Sequence, residues 1–163
     1  MLNPQQLFAR LDALGLGHRT VEHPPVFTVE EAKAHRGDLP GHHIKNLFLR
    51  NKKEEMWLVV ALEDRVVDLK RLGEALGAGR LSFGSPDRLR RTLGVEPGSV
   101  TPFAVINDTD RRVTLVLDSG LRERGPINAH PLTNTMTTAI AVADLQRFFE
   151  ATGHTPRWLD FPL

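Results

Sequence analysis

The 163-residue sequence contains no cysteine and no tyrosine. The first absence excludes disulfides, thiolate metal sites and a cysteine nucleophile together, and fits a reducing compartment. The second leaves eight phenylalanines and two tryptophans as the aromatic content, so a largely aliphatic core is expected. No apolar run approaches the roughly 20 residues of a membrane span. The amino-terminal stretch MLNPQQLFARLDALG carries Arg10 and Asp12 and has no apolar signal core, so a cytoplasmic protein is expected. Charge of one sign is not in excess either: the net charge is +1, which argues against a general polyanion binder. The motifs HExxH, GxSxG, GxGxxG and the P-loop are all missing. His42 and His43 are adjacent and on a strand point to opposite faces, so they do not chelate together; neither a metal nor a cofactor is expected.

What is present reads as one domain over residues 1–163, a length that buries a real core. Asn3-Pro4 opens a helix with a stripe of Leu7, Phe8, Leu11 and Leu14, stopped at Gly15 and Gly17. A strand is expected at 19–22, and Thr28 with Glu31 forms a capping box for a short helix over about 29–35. Residues 44–50 and 56–63 form a hairpin across the charged turn NKKEE, and MWLVVALE, apolar on both faces, belongs inside the sheet. Asp68 caps a helix that ends at Gly77, LSF is a brief strand, and Ser85-Pro86 opens a helix that ends at Gly94. FAVIN and RRVTLVLDS are expected to form a second hairpin, with Asp108 and Asp110 as turn residues at its tip. Residues 126–130 and 135–142 look extended, and a last helix covers 144–152. Hairpins outnumber clear βαβ units, which predicts an α+β fold with a mixed, largely antiparallel sheet wrapped by helices.

Three features stand out from this scaffold. Lys45 shares its strand face with Leu47 and Leu49 and is followed by Asn46. Either the lysine snorkels to solvent or its ammonium stands at the rim of a pocket, ready for a phosphate or a carbonyl oxygen. The loop GSVTP, Gly98 to Pro102, is either a plain turn or a place where a glycine lets backbone approach a ligand. His130, before Pro131 and therefore extended, opens the unusually polar run HPLTNTMTT, a buried core histidine or a pocket wall of hydroxyls and amides. A fourth, weaker feature is the segment 65–91, with seven basic residues against three acidic: two solvated helix faces or a phosphate-facing surface.

Taken together, HHIKNLFLRNKKEEMWLVV, GSVTP as a GxxxP loop, and NAHPLTNTMTTAI resemble the freestanding prolyl-tRNA editing domains, the YbaK/ProX-like aminoacyl-tRNA deacylases, over about residues 21–149. AHPLTNT is most similar to the members that remove alanine. The resemblance implies a trans-editing hydrolase that deacylates Ala-tRNA(Pro), with the neighbouring ribose hydroxyl and backbone around Gly98 positioning the water. It implies catalytic roles for Lys45, Gly98 and His130, and substrate contacts at Asn46, Pro102, Ala129 and Asn134. Arg80 is the first candidate on the basic segment for the tRNA(Pro) acceptor end, and prolyl-tRNA synthetase is a candidate partner. A deacylase for cysteinyl or seryl esters and a non-catalytic module that binds acceptor stems or a synthetase are the alternatives; a metal hydrolase ranks last.

Overall fold

The computed structural model describes residues 1–25, 28, 30–31, 40–123 and 125–163. The elements are α1 (Pro4–Ala13), β1 (His18–Glu22), β2 (His42–Arg50), β3 (Met56–Leu62), α2 (Leu69–Leu76), β4 (Ser82–Phe83) and α3 (Pro86–Leu93), then β5 (Val113–Asp118), β6 (Ile127–Ala129), β7 (Met136–Ile140), α4 (Val142–Thr152) and β8 (Arg157–Leu159). The helix expected over 29–35 lies largely outside the described residues, although the Glu31 amide does donate to Thr28 Oγ1 at 3.0 Å.

Local chemistry sets the helix ends. Asn3 Oδ1 accepts from the Gln6 amide and Gln6 Oε1 from the Asn3 amide, both at 2.9 Å, a reciprocal cap that contributes about 1 kcal/mol. Asp68 and Ser85 cap α2 and α3 as their sequence positions require, and Gly77 and Gly94 end them in the left-handed conformation.

One sheet runs in the order β1-β7-β6-β2-β3-β5-β8, with β4 also paired to β2. The pairs β1–β7, β6–β7, β2–β3 and β2–β4 are antiparallel, whereas β2–β6, β3–β5 and β5–β8 are parallel. Strand β3 lies between β2 and β5, and Met56 to Ala61 are all buried, as a strand apolar on both faces demands. Leu7 and Leu11 of α1, Leu89 and Leu93 of α3, and Leu145, Phe148 and Phe149 of α4 cover one face. Leu72 and Leu76 of α2, with Phe161 near the carboxyl end, cover the other. The sheet is mixed and helix-wrapped, an α+β fold.

The second hairpin does not form. FAVIN lies within a 3-10 helix, Pro102–Asn107, whose first turn is capped where Thr101 Oγ1 accepts from the Phe103 amide. Phe103, Ala104 and Val105 are all buried, and a short run apolar on every side does not distinguish strand from buried helix by periodicity. Strand β5 instead pairs parallel with β3, which a hairpin cannot produce; the segment containing α2, β4 and α3 makes the crossover. Asp108 is accordingly no exposed turn residue. It is buried and accepts from the amides of Arg112 and Val113 at 3.0 and 2.9 Å. Strand β8 has no counterpart in the sequence reading.

The candidate functional site at the β2–β6 junction

Among the described residues, strand β6 meets β2 through two registered pairs, His42↔Ile127 and His43↔Asn128. Two residues beyond the second pair stand Lys45 on β2 and His130 after β6. Farther along, the same β2 strand takes β4 as a partner, at Leu49↔Phe83 and Arg50↔Ser82. Among the described residues, β2 therefore has no registered pair on this edge at 44–48, and Lys45, Asn46, Ala129 and His130 lie in or next to that stretch by register.

Alternation along β2 sends consecutive side chains to opposite sides. Ile44 and Phe48 pack into the α1–α3–α4 core, so Asn46 faces that side. Leu47 and Leu49 pack with α2, so Lys45 faces the other. The Lys45 ammonium donates to the main-chain carbonyl of Arg65, in the loop leading to α2. That loop and the start of β2 border a hollow of about 350 Å³ between Gly41–His43 and Leu62–Arg65. On the opposite side, Asn46 Oδ1 is buried without a hydrogen-bond partner among the described residues. A buried amide oxygen left orphaned costs free energy, on the order of 1–3 kcal/mol, and is a natural seat for a donor on a ligand.

Ala129, 3% exposed, ends β6 on the same core side as Ile127. His130 follows. Its Nδ1 donates to the Met136 carbonyl at 3.0 Å, closing the turn of residues 131–135 that holds Asn134. With the proton on Nδ1, Nε2 carries the lone pair and is free to accept. Burial pushes the His130 imidazole below its ordinary range; the bond to Met136 works against this shift and nearby His23 adds to it. The rings of His23 and His130 are 6.1 Å apart, and His23 bonds Thr137 Oγ1 through Nε2 at 2.8 Å.

Gly98, half-buried, lies in the 3-10 turn Pro97–Ser99, and Pro102 is buried at the start of the next 3-10 helix. Val100, between them, packs against the cluster that contains Ala129 and Ile44. The register thus brings Lys45, Asn46, Ala129 and His130 to one end of the β2–β6 seam, Asn134 lies in the turn that His130 closes, and Val100 ties the Gly98–Pro102 loop to the core. No hydrogen bond joins Lys45, Gly98 and His130 to one another. Arg80 stands apart, exposed in the loop from α2 to β4, on a hollow of about 690 Å³ that Lys70 and Glu74 also border.

The basic segment is less free than its charge count implies. Arg65, Arg88, Arg90 and Arg91 are engaged with Asp118, Glu54, Glu96 and Asp87. Lys70 and Arg80 have no ion pair or side-chain hydrogen bond among the described residues. Sequence reasoning missed His23 and Asp118 and counted Arg65 only as one charge of the basic segment; the partners that place them lie 53 to 114 residues away.

A mixed sheet whose β2–β6 pairing is short, with Lys45, the partnerless Asn46 oxygen and His130 just beyond it, is the frame that comparison with known proteins places in a family. The chain belongs to the aminoacyl-tRNA editing domain family, whose sequence model matches residues 23–148, and is a YbaK/ProX-like editing domain. It is 38% identical over 152 residues to the prolyl-tRNA editing protein ProX of Acetoanaerobium sticklandii, covering 93% of both chains. It is 44% identical over 153 residues to prolyl-tRNA synthetase associated domain-containing protein 1 of Danio rerio, covering 93% of this chain and 83% of that one. A crystal structure of a protein proposed as a trans-editing enzyme for prolyl-tRNA synthetase superposes with a TM-score of 0.73 at 22% identity, over 99% of this chain and all of that one, and so shares its fold. Among the described residues no helix is long and apolar enough to cross a membrane.

Proposed function

We propose that the chain is a trans-acting cytoplasmic deacylase, working as one unit over residues 1–163, that hydrolyses Ala-tRNA(Pro). The observation that carries this reading is the orphaned Asn46 oxygen, buried on the same side of the sheet as Ala129. A buried acceptor beside a small wall suits the ammonium and short side chain of an alanyl ester. The names of the relatives, prolyl-tRNA editing protein and prolyl-tRNA synthetase associated domain, supply the transfer RNA.

A synthetic pocket fitted to proline rejects the smaller alanine only weakly, because missing methylene contacts are worth about 1–3 kcal/mol. A second pocket too tight for proline supplies the remaining discrimination. In this reading Ala129 and the neighbouring threonine-rich turn set that limit, with Asn134 as a polar contact. Asn46 Oδ1 accepts from the α-ammonium, and Lys45 meets the phosphate of the terminal nucleotide. Pro102 fixes the loop that presents the Gly98 backbone to the substrate.

Water adds to the ester carbonyl and forms a tetrahedral oxyanion. Backbone groups around Gly98 and the neighbouring ribose hydroxyl orient the water and polarise the ester. The carbon–oxygen bond to the ribose then breaks, the ribose oxygen takes the proton the water gives up, and alanine leaves with the free RNA end. His130 shapes the pocket, and its unprotonated Nε2 holds a donor of the substrate. Arg80 contacts acceptor-stem phosphates, and prolyl-tRNA synthetase hands over the substrate.

Single-turnover deacylation of tRNA(Pro) charged with alanine, proline, cysteine or serine tests this reading. Rapid loss of the alanyl ester with the prolyl ester intact is the expected result. An alanyl ester that survives while another is cleaved overturns the substrate assignment, and binding without cleavage of any ester turns the domain into a recognition module.

A further inference from the structure

Lys45 is not held by its own strand. Its ammonium is fixed by a carbonyl on the loop between β3 and α2, and that loop is tied down with unusual thoroughness. The Arg65 amide donates to the Leu62 carbonyl at 3.0 Å, and the Glu63 amide to the His43 carbonyl at 2.9 Å. The Arg65 guanidinium reaches across to the end of β5, where Nε donates to Asp118 Oδ2 at 2.9 Å and Nη2 to Oδ1 at 3.4 Å. Asp118 is fully buried, and its carboxylate also accepts from the amides of Leu62 and Gly120 at 3.0 and 2.9 Å. Each of these bonds bears on the chain segment that presents the Arg65 carbonyl or on the turn beneath it.

We infer that Arg65 and Asp118 are a positioning pair, whose clamp sets the carbonyl that aims the Lys45 ammonium at its ligand. A lysine ammonium has three donors. The Arg65 carbonyl takes one and fixes the direction of the stem, leaving two for an oxygen anion. A free lysine stem samples many rotamers and loses that freedom on binding; one already ordered loses less. The room for side-chain atoms at Gly120 is correspondingly tight: a Cβ there lies 2.8 Å from Arg65 Nη2 and 3.1 Å from Asp118 Oδ1. The assignment deepens the deacylase reading and rests on it for the nature of the ligand. The geometry of the clamp itself does not depend on that reading.

The test uses the full chain with Arg65→Met, Arg65→Lys and Asp118→Asn. Acetylation of lysine amines by an N-hydroxysuccinimide ester, followed by mass spectrometry, reads the freedom of the Lys45 amine against Lys52, Lys53 and Lys70 in the same molecule. Arg65→Met is expected to raise relative labelling of Lys45 at least threefold, with Arg65→Lys in between. Single-turnover deacylation of Ala-tRNA(Pro) is expected to slow 10- to 100-fold in Arg65→Met, with half-saturating RNA changed less than threefold and partial rescue in Arg65→Lys. In a Lys45→Ala background, Arg65→Met is expected to change the residual rate less than twofold, because the clamp has nothing left to aim. Unchanged Lys45 labelling in a folded Arg65→Met protein overturns the inference, and so do losses from Arg65→Met and Lys45→Ala that multiply. If the wild type cleaves no ester, the deacylase reading fails while the labelling still decides the clamp. If Asp118→Asn does not fold, Arg65→Met, at a partly exposed position, carries the test.

Discussion

His154 Nε2 and Asp108 Oδ2 lie 2.9 Å apart with both side chains buried, joining the segment just after α4 to the turn before β5. Thr152 Oγ1 holds the other ring nitrogen at 2.9 Å. Burial alone raises the Asp108 carboxyl, but the bond from His154 and the amides of Val113 and Arg112 outweigh it and hold the group below the usual carboxylate range. His154→Ala leaves a buried carboxylate short of a partner. A loss of about 2–3 kcal/mol in urea unfolding is expected, with the deacylation rate of the remaining folded protein unchanged, since the pair contacts none of the candidate site residues.

Stability also depends on pH through His130. Its folded-state affinity for a proton is depressed, so the unfolded chain binds the proton more readily. The resulting stability is complete above the ordinary imidazole range, about 6.5, and declines as pH falls from there towards the folded-state value. Thermal melts between pH 7.5 and 5 are expected to show this decline, and His130→Gln to flatten it. The Asp108 contribution enters only below about pH 4, so the two separate in one titration.

Gly41 has φ +99°, and a Cβ there falls well inside contact distance of the Pro126 carbonyl oxygen. That same oxygen accepts from the His42 amide at 2.7 Å, where β2 begins its two-pair contact with β6. Gly41→Ala is expected to cost about 1–3 kcal/mol and to slow deacylation, because the strain enters at the junction where the site is proposed. Gly15→Ala, at a positive φ with open space around it, serves as the control: some stability lost, rate kept.

Asn46→Ala separates stability from activity. Removing a buried oxygen without a partner is expected to leave unfolding free energy within about 1 kcal/mol of wild type or to raise it. Deacylation of Ala-tRNA(Pro) is expected to drop at least tenfold. A variant that loses stability and keeps its rate assigns Asn46 to the core instead.

Much of the frame was legible in the residues because it depends on local rules. Asn3, Asp68 and Ser85 cap helices through side chains two or three residues from their targets, and MWLVVALE declares an interior strand by being apolar throughout. The family, too, was legible, since Lys45-Asn46, GSVTP and AHPLTNT carry it in the order of the chain. FAVIN was misread because its burial on all sides erases periodicity. Asp108 was misread because its partner His154 is 46 residues away. The clamp of Arg65 and Asp118 left no local trace: an arginine in a charged segment and an aspartate at a strand end look ordinary until the sheet places them together.

Among the described residues, strands β1, β7 and β6 join the rest of the sheet by two residue pairs, while β2, β3 and β5 are laddered along most of their length. What binds the trio to the central ladder is side-chain packing instead: Ile127, Ala129 and Ile140 sit in the same buried cluster as Val60, Leu115 and Phe148. A substitution that hollows this cluster therefore loosens the trio before it unravels the backbone ladder of β2, β3 and β5.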